Sequence, residues 1–325
     1  VNLCLKIFLF VFSVIAITPS FAQESTKIDP NALENVRHAA EAAGSHAVVI
    51  LQDDEVIADW YFGHQQQPIE LMSVLKSLVS LGIGNLLFTG EIESLDQPVH
   101  EFYPEWKQGR KQQITLRHLL SHTSCLQNTQ NAGQEIYPAP NAIQLALAAE
   151  LVCDPGSEFS YNNKAVNLLA GIIHVASGQR MDQFFVEDFF RVMDITRYQW
   201  HFDQSGNPHA MAGLRLQARD LAKFGQLVLN RGQWDGHKLV DPEYLNEMLS
   251  QSQPHVQGVG LLWWMFKDRG EPVAFFGDGY LGQTLMIIPD HNLIAVRQVA
   301  RSDEYDPETD GFTDFKSRVV ELVKD

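Results

Sequence analysis

Ser73-Val74-Leu75-Lys76 leads into a long apolar stretch. At that spacing on a helix, Ser73 and Lys76 share one face, a turn apart. A serine hydroxyl is a poor nucleophile until a base takes its proton. An ammonium cannot take it, but a lysine held against an apolar surface is pushed toward its neutral form by desolvation. A helix opening near Ser73 also offers backbone N–H groups and a partial positive charge where an oxyanion would form. The chemistry on offer is acyl transfer to Ser73. The spacing alone arises by chance in a chain of 325 residues, so it needs company.

Two further clusters supply candidates. Tyr161-Asn162-Asn163 follows a Pro155-Gly156-Ser157 turn and precedes a helical pattern. It would present the Tyr161 phenol and the Asn163 amide on one loop. A phenol beside a lysine cation has a lowered pKa and can act as a base. An Asn N-cap beside a packed tyrosine accounts for the same residues. Gly277-Asp278-Gly279-Tyr280-Leu281-Gly282 matches Gly-x-Gly-x-x-Gly. The dinucleotide fingerprint opens a helix at its third glycine. Here Gln283-Thr284-Leu285-Met286-Ile287-Ile288 continues as a strand-like run, which argues against a nucleotide. Gly279 would instead let a substrate approach the backbone, with a main-chain N–H as a second oxyanion donor. There is no Gly-x-Ser-x-Gly elbow, no His-Glu-x-x-His and no P-loop motif. His118 and His122 read as packed helical residues, with no acidic third ligand placed for zinc.

Residues 30–43 have helix-forming composition, and 48–51 with 56–62 flank Asp53-Asp54 as a hairpin. Apolar residues recur at helical spacing from Leu71 to Phe88, closed by Gly90. Further helices are expected over 114–122, 141–151, 163–177, 182–193 and 218–230. Short apolar runs at 260–266, 273–276, 283–288 and 293–299 suggest an antiparallel sheet, and 315–324 a closing amphipathic helix. Strands at both ends with helices between predict an α/β (α+β) fold. Its antiparallel sheet is built from the N- and C-terminal segments and flanked by helices, with a mostly helical insertion over roughly residues 100–240. The stretch 127–140, rich in Gln, Asn and Pro, reads as a long loop of a kind that is often functional.

The composition is globular, with 45% apolar and 20% charged residues, and the net charge of −16 repels phosphate backbones and excludes nucleic acid as a partner. In residues 1–22, Lys6 precedes an apolar run from Ile7 to Thr18, then Pro19-Ser20-Phe21-Ala22. That is the anatomy of a signal peptide cut after Ala22. The run falls short of the roughly 20 residues of a spanning helix. The expectation is a periplasmic or secreted chain, residues 23–325, with no stable membrane anchor after cleavage. In an oxidising compartment Cys125 and Cys153 either pair, for roughly 3–4 kcal/mol of loop entropy, or stay as separate buried thiols. No cofactor or metal is called for; the expected partner is a small ester, amide or peptide, and the sequence specifies no oligomeric state.

Together these pieces resemble the serine β-lactamase and penicillin-binding-protein superfamily, nearest its class C β-lactamase, esterase and nylon-oligomer-hydrolase branches. The resemblance includes Ser73-x-x-Lys76, Ile114–Ser124 with its Leu120-Ser121-His122-Thr123-Ser124 run, Tyr161-x-Asn163, Asn167–Ile173 and Asp220–Gly225. It implies a sheet-and-helix sandwich with a helical subdomain and the active site between them. It further implies Ser73 as the acylated nucleophile, with Lys76 and Tyr161 as its base. Asn163 would bond Lys76 or a substrate carbonyl, and the N–H groups of Ser73 and Tyr280 would form the oxyanion hole beside Gly279. Two departures stand out. Cys125 occupies a position where relatives carry Gly, which supports a Cys125–Cys153 staple joining two active-site loops. The third motif, Lys-Thr-Gly or His-x-Gly in relatives, is Gly277-Asp278-Gly279. Losing a cation that holds a substrate carboxylate and gaining an anion costs roughly 3 kcal/mol at about 5 Å and an effective dielectric near 20. The expectation is a hydrolase of neutral or cationic esters and amides. Alternatives are a β-lactamase or D,D-carboxypeptidase that takes its carboxylate ligand from Arg297 or Arg301, and a penicillin-sensor-like binding protein.

Overall fold

A computed structural model of the protein describes residues 28–129, 131–301 and 312–323. The expected signal peptide, residues 1–22, lies outside them. The strands are β1 (Ala47–Gln52), β2 (Glu55–Trp60), β3 (Ile69–Glu70), β4 (Gln199–Trp200), β5 (Leu214–Leu216), β6 (Gln233–Trp234), β7 (His237–Lys238), β8 (Trp264–Asp268), β9 (Glu271–Gly279), β10 (Gln283–Ile288) and β11 (Leu293–Gln298). The α-helices are α1 (Pro30–Ala42), α2 (Val74–Thr89), α3 (Leu116–Leu120), α4 (Ala132–Glu135), α5 (Ala142–Ala148), α6 (Asn163–Ser177), α7 (Met181–Phe185), α8 (Ala218–Leu229), α9 (Pro242–Leu249) and α10 (Phe315–Glu321).

A six-stranded antiparallel sheet runs in the order β2-β1-β11-β10-β9-β8, so the two ends of the chain meet where β1 pairs with β11. The β1–β2 turn is tight because Asp53 and Asp54 both take positive φ, the geometry that matches strand twist. Strands β1, β10 and β11 are buried on both faces, and alternation sorts their side chains into two cores. Val49, Leu285, Ile287 and Val296 face the core shared with α2 and α8. Val48, Ile50, Met286 and Ala295 face the core closed by Val36 of α1 and Val319 of α10. Double burial explains why these strands read as continuous apolar runs.

Most expected elements are present with shifted ends. Helix α2 starts at Val74, not Leu71, because Leu71 N–H is tied to Leu214 C=O and Met72 takes φ 48°. The strand expected at 260–266 begins at Trp264, since Leu262 turns the chain with φ 58°. Within the expected loop at 127–140, Asn131 caps the short helix α4. Helix α9, opened by Asp241 and Pro242, is additional to the expected helices. The helix expected over 182–193 is α7 followed by a π-turn at Val186–Phe190. Between residues 99 and 249 helices outweigh strands, and α2 crosses between this region and the sheet, buried from Val74 through Leu86, as expected of a helix apolar all round.

Candidate active site

Ser73 is the N-cap of α2, yet its hydroxyl makes no capping bond and faces Lys76 instead. Lys76 Nζ lies 2.8 Å from Ser73 Oγ and donates to Met211 C=O at 2.7 Å. Lys76 is only 3% exposed. Burial pushes its pKa down from the ordinary lysine value, while the charge and hydrogen bond of Tyr161 pull it partly back. As an ammonium, Lys76 donates to Ser73 Oγ. As an amine, it can accept the serine proton and still donate to Met211.

Met211 is held by Asn167, the polar residue in an otherwise apolar stretch of α6. Its Oδ1 accepts from Ala210 N–H at 3.0 Å and Met211 N–H at 3.2 Å. Tyr161 reaches the same point from the loop before α6, with Lys76 Nζ 5.1 Å from its ring centroid. That loop is zipped to the turn after α3: Gly156 N–H bonds Thr123 C=O, Ser160 N–H bonds His122 C=O, and Val152 N–H bonds Cys125 C=O. A Cys125–Cys153 disulfide joins the same two segments, as expected. Cys125 takes φ 58°, a left-handed conformation that favours glycine, the residue the resemblance leads one to expect there.

His122, also left-handed at φ 58°, is packed as expected but lies beyond the helix expected to carry it. It lies past the end of α3, fully buried, with its ring 4.6 Å from that of Tyr161. Its Nδ1 accepts Asn162 N–H at 3.2 Å, which assigns the imidazole proton to Nε2. Burial, then the charge of Lys76, drives its pKa down to about 3, so it is neutral at pH 7. His118, by contrast, completes the capping box of α3 with Thr115. Trp264 stacks on Tyr161 at 26°, and Trp263 anchors that segment by donating to Ser77 C=O.

Ser73, Lys76, His122, Tyr161, Leu262, Trp264 and Asp278 thus line one narrow cleft with a cavity volume of only about 10 Å³. A larger groove between α9 and the β8–β9 edge holds none of these residues. The third wall is strand β9. A Cβ on Gly277 would sit 2.6 Å from Ser77 Oγ, and one on Gly279 would sit 2.8 Å from Leu71 C=O. The close approach that Gly279 permits is therefore that of the protein's own chain to α2, not only that of a substrate. This contact sets the Tyr280 peptide beside residues 71–72, just ahead of Ser73, with the Tyr280 side chain 64% exposed.

Three expectations need correcting. Of the two roles expected of Asn163, the bond to Lys76 is not made, leaving only that toward a substrate carbonyl: it is buried at the start of α6, where Asn162 does the capping, and its Oδ1 has no partner among the described residues. Arg297 cannot hold a substrate carboxylate in the cleft. It is wholly buried, bonded to Ser45 Oγ, Ala43 C=O and Gly282 C=O. Asp278 is not an unpaired anion, because Lys316 of α10 meets it at 3.1 Å and Thr284 Oγ1 donates to it at 3.2 Å.

The chain is similar to several known proteins. The chain is 25% identical over 320 residues to a 6-aminohexanoate-dimer hydrolase of Paenarthrobacter ureafaciens, covering 89% of this chain and 80% of that protein. Its fold matches an octameric penicillin-binding protein homologue from Pyrococcus abyssi with a TM-score of 0.73 at 20% identity, over 91% of this chain and 77% of that one. It also matches EstCE1, described as a hydrolase with promiscuous acyltransferase activity, with a TM-score of 0.72 at 15% identity, over 90% and 97% of the two chains. The beta-lactamase family model matches residues 32–314, most of the chain's length, and the chain belongs to that family.

Proposed function

We propose that this protein is a serine hydrolase that cleaves an ester or amide through an acyl-enzyme on Ser73. The observation that carries the reading is the 2.8 Å contact of Ser73 Oγ with a lysine amine removed from water, beside Tyr161 in one cleft. In acylation, neutral Lys76 takes the Ser73 proton as Oγ bonds the substrate carbonyl carbon. The developing oxyanion lies at the N-terminus of α2, beside the Ser73 and Tyr280 N–H groups. Tyr161 gives its proton to the leaving oxygen or nitrogen as that bond breaks, and regains one from Lys76. Water then attacks the acyl carbon, passing a proton back through the same groups, and Ser73 leaves as the hydroxyl.

Gly277 in place of a third-motif lysine argues against substrates that must be held by a carboxylate. β-Lactams are therefore poor substrates in this reading, and esters or amides without that group are favoured. The disulfide supports an exported, oxidising location. A fluorophosphonate probe tests the nucleophile: it tags the wild type and leaves Ser73→Ala untagged. Turnover of p-nitrophenyl esters and amino-acid amides, with weak turnover of nitrocefin, is the expected profile. An untagged wild type, or efficient nitrocefin hydrolysis, overturns it.

A further inference from the structure

We propose that Asp278 and Lys316 form a charge-neutral specificity wall that selects an uncharged leaving group, each holding the other back from recruiting a substrate of opposite charge. The inference rests on the hydrolase reading above and deepens it. Asp278 lines the cleft that contains Ser73, on the strand that carries the third motif. Lys316 comes from α10 and stands behind the cleft lining, touching it through Asp278. Its Nζ lies 3.1 Å from Asp278 Oδ2 and 4.8 Å from the Phe276 ring centroid. The lysine is pinned from two sides by β9, and its side chain is 19% exposed against 41% for Asp278. The charge that Gly277 does not supply is thus present nearby but occupied. Among the residues lining the cleft, Asp278 is the only carboxylate and Lys76 the only other residue of formal charge. Burial favours the neutral form of Lys76, and His122 is uncharged. With Asp278 matched by Lys316, the β9 wall of the cleft has no uncompensated charge to offer a carboxylate or an ammonium.

Exchanging one partner for an uncharged side chain exposes the other. Asp278→Asn leaves Lys316 over Phe276 as a free cation, and Lys316→Met leaves Asp278 as a free anion. At a separation of one small group, and allowing for partial exposure, each change should shift selectivity about tenfold.

Acetate esters of 3-hydroxybenzamide, 3-hydroxybenzoate and 3-(aminomethyl)phenol provide neutral, anionic and cationic leaving groups. The wild type should prefer the neutral ester. Asp278→Asn should raise the anionic-to-neutral ratio of kcat/KM about tenfold, and Lys316→Met the cationic-to-neutral ratio about tenfold. Lys316→Arg should keep the wild-type ratios. Benzamide, benzoate and benzylamine, titrated against tryptophan fluorescence because Trp264 stands in the wall, give the same ratios without turnover. Wild type that hydrolyses none of the esters while the binding ratios shift as stated would refute the hydrolase reading and keep the wall. Ratios unmoved in both variants, or moved in the same direction in both, would overturn the wall while Ser73 chemistry stands.

Discussion

Replacing Lys76 with methionine should raise stability and abolish activity, and the two effects can be sized separately. Methionine keeps the unbranched apolar stem and removes the amine. A positioned general base contributes about 10²–10⁴ in rate. At about 1.4 kcal/mol per tenfold, that is roughly 3–5 kcal/mol of lost transition-state stabilisation. On the stability side, the substitution strands Met211 C=O, which costs about 1–3 kcal/mol. It also removes a buried amine whose charged form carries a desolvation penalty of several kcal/mol. The net at neutral pH is a gain of roughly 1–2 kcal/mol. The sign with pH follows from the direction of the shift. Burial depresses the Lys76 pKa in the folded protein below the model value of 10.5, so the protonated lysine favours the unfolded chain. Wild-type stability therefore rises as pH climbs through the folded pKa toward 10.5, and the advantage of Lys76→Met shrinks over that range. Urea melts at neutral and alkaline pH measure the stability difference, and p-nitrophenol release from an ester measures the rate. Activity of the wild type should rise with pH as the amine forms. A Lys76→Met enzyme within tenfold of wild-type kcat/KM, or one that is less stable with no pH dependence in the difference, would refute the neutral-lysine reasoning.

Other consequences are equally concrete. His122, with its pKa lowered to about 3, should show no imidazole titration by NMR from neutral pH down to mildly acidic pH; wild-type stability should fall as pH drops from 6.5 toward 3, and His122→Gln should flatten that fall. Gly279→Ala forces a Cβ against Leu71 C=O, so kcat/KM should drop more than tenfold with about 1–3 kcal/mol lost in urea melts. Gly63→Ala, which meets open space, should change stability by about 1 kcal/mol through its positive φ and leave kcat/KM unchanged. Cys153→Ser should cost roughly 3–4 kcal/mol in the same melts, since the bridge closes a sequence separation of 28.

What could be read from the sequence is what short-range physics writes into it. Helix α6 runs over Asn163–Ser177, as its periodicity predicts, because an Asn N-cap and a left-handed Gly178 bracket it. Strands β10 and β11 announce themselves as apolar runs between turn residues. Ser73 and Lys76 are legible because their geometry is one helical turn. Helix α9 is marked in the sequence chiefly by its start, Asp241 before Pro242, and the four residues of α4 are too few to show a period.

The rest of the site depends on contacts that sequence distance hides. Met211 joins through a carbonyl, a group every residue has, so nothing in its identity marks it. Asn167 left a trace, an amide amid Val166, Leu168 and Leu169, but only the 210–211 backbone explains it. The glycines of Gly277-Asp278-Gly279 were legible as glycines, yet their cause is the packing of β9 on the first turns of α2. Left-handed backbone at His122 and Leu262 lines the same cleft, and Met72 and Leu281, next to Ser73 and Tyr280 in sequence, are left-handed too. Such conformations cost about 1–3 kcal/mol each and persist only where surrounding structure holds them. The apolar burial of α2 and the zipped loops supply that hold for Ser73 and Lys76, while Lys316 is carried to Asp278 by α10 from the other core. A motif compared letter by letter scores Gly277 as a lost cation. Compared by charge in space, the cation has moved to the C-terminal helix and acquired a partner, and substrate choice should follow the pair and not the letter.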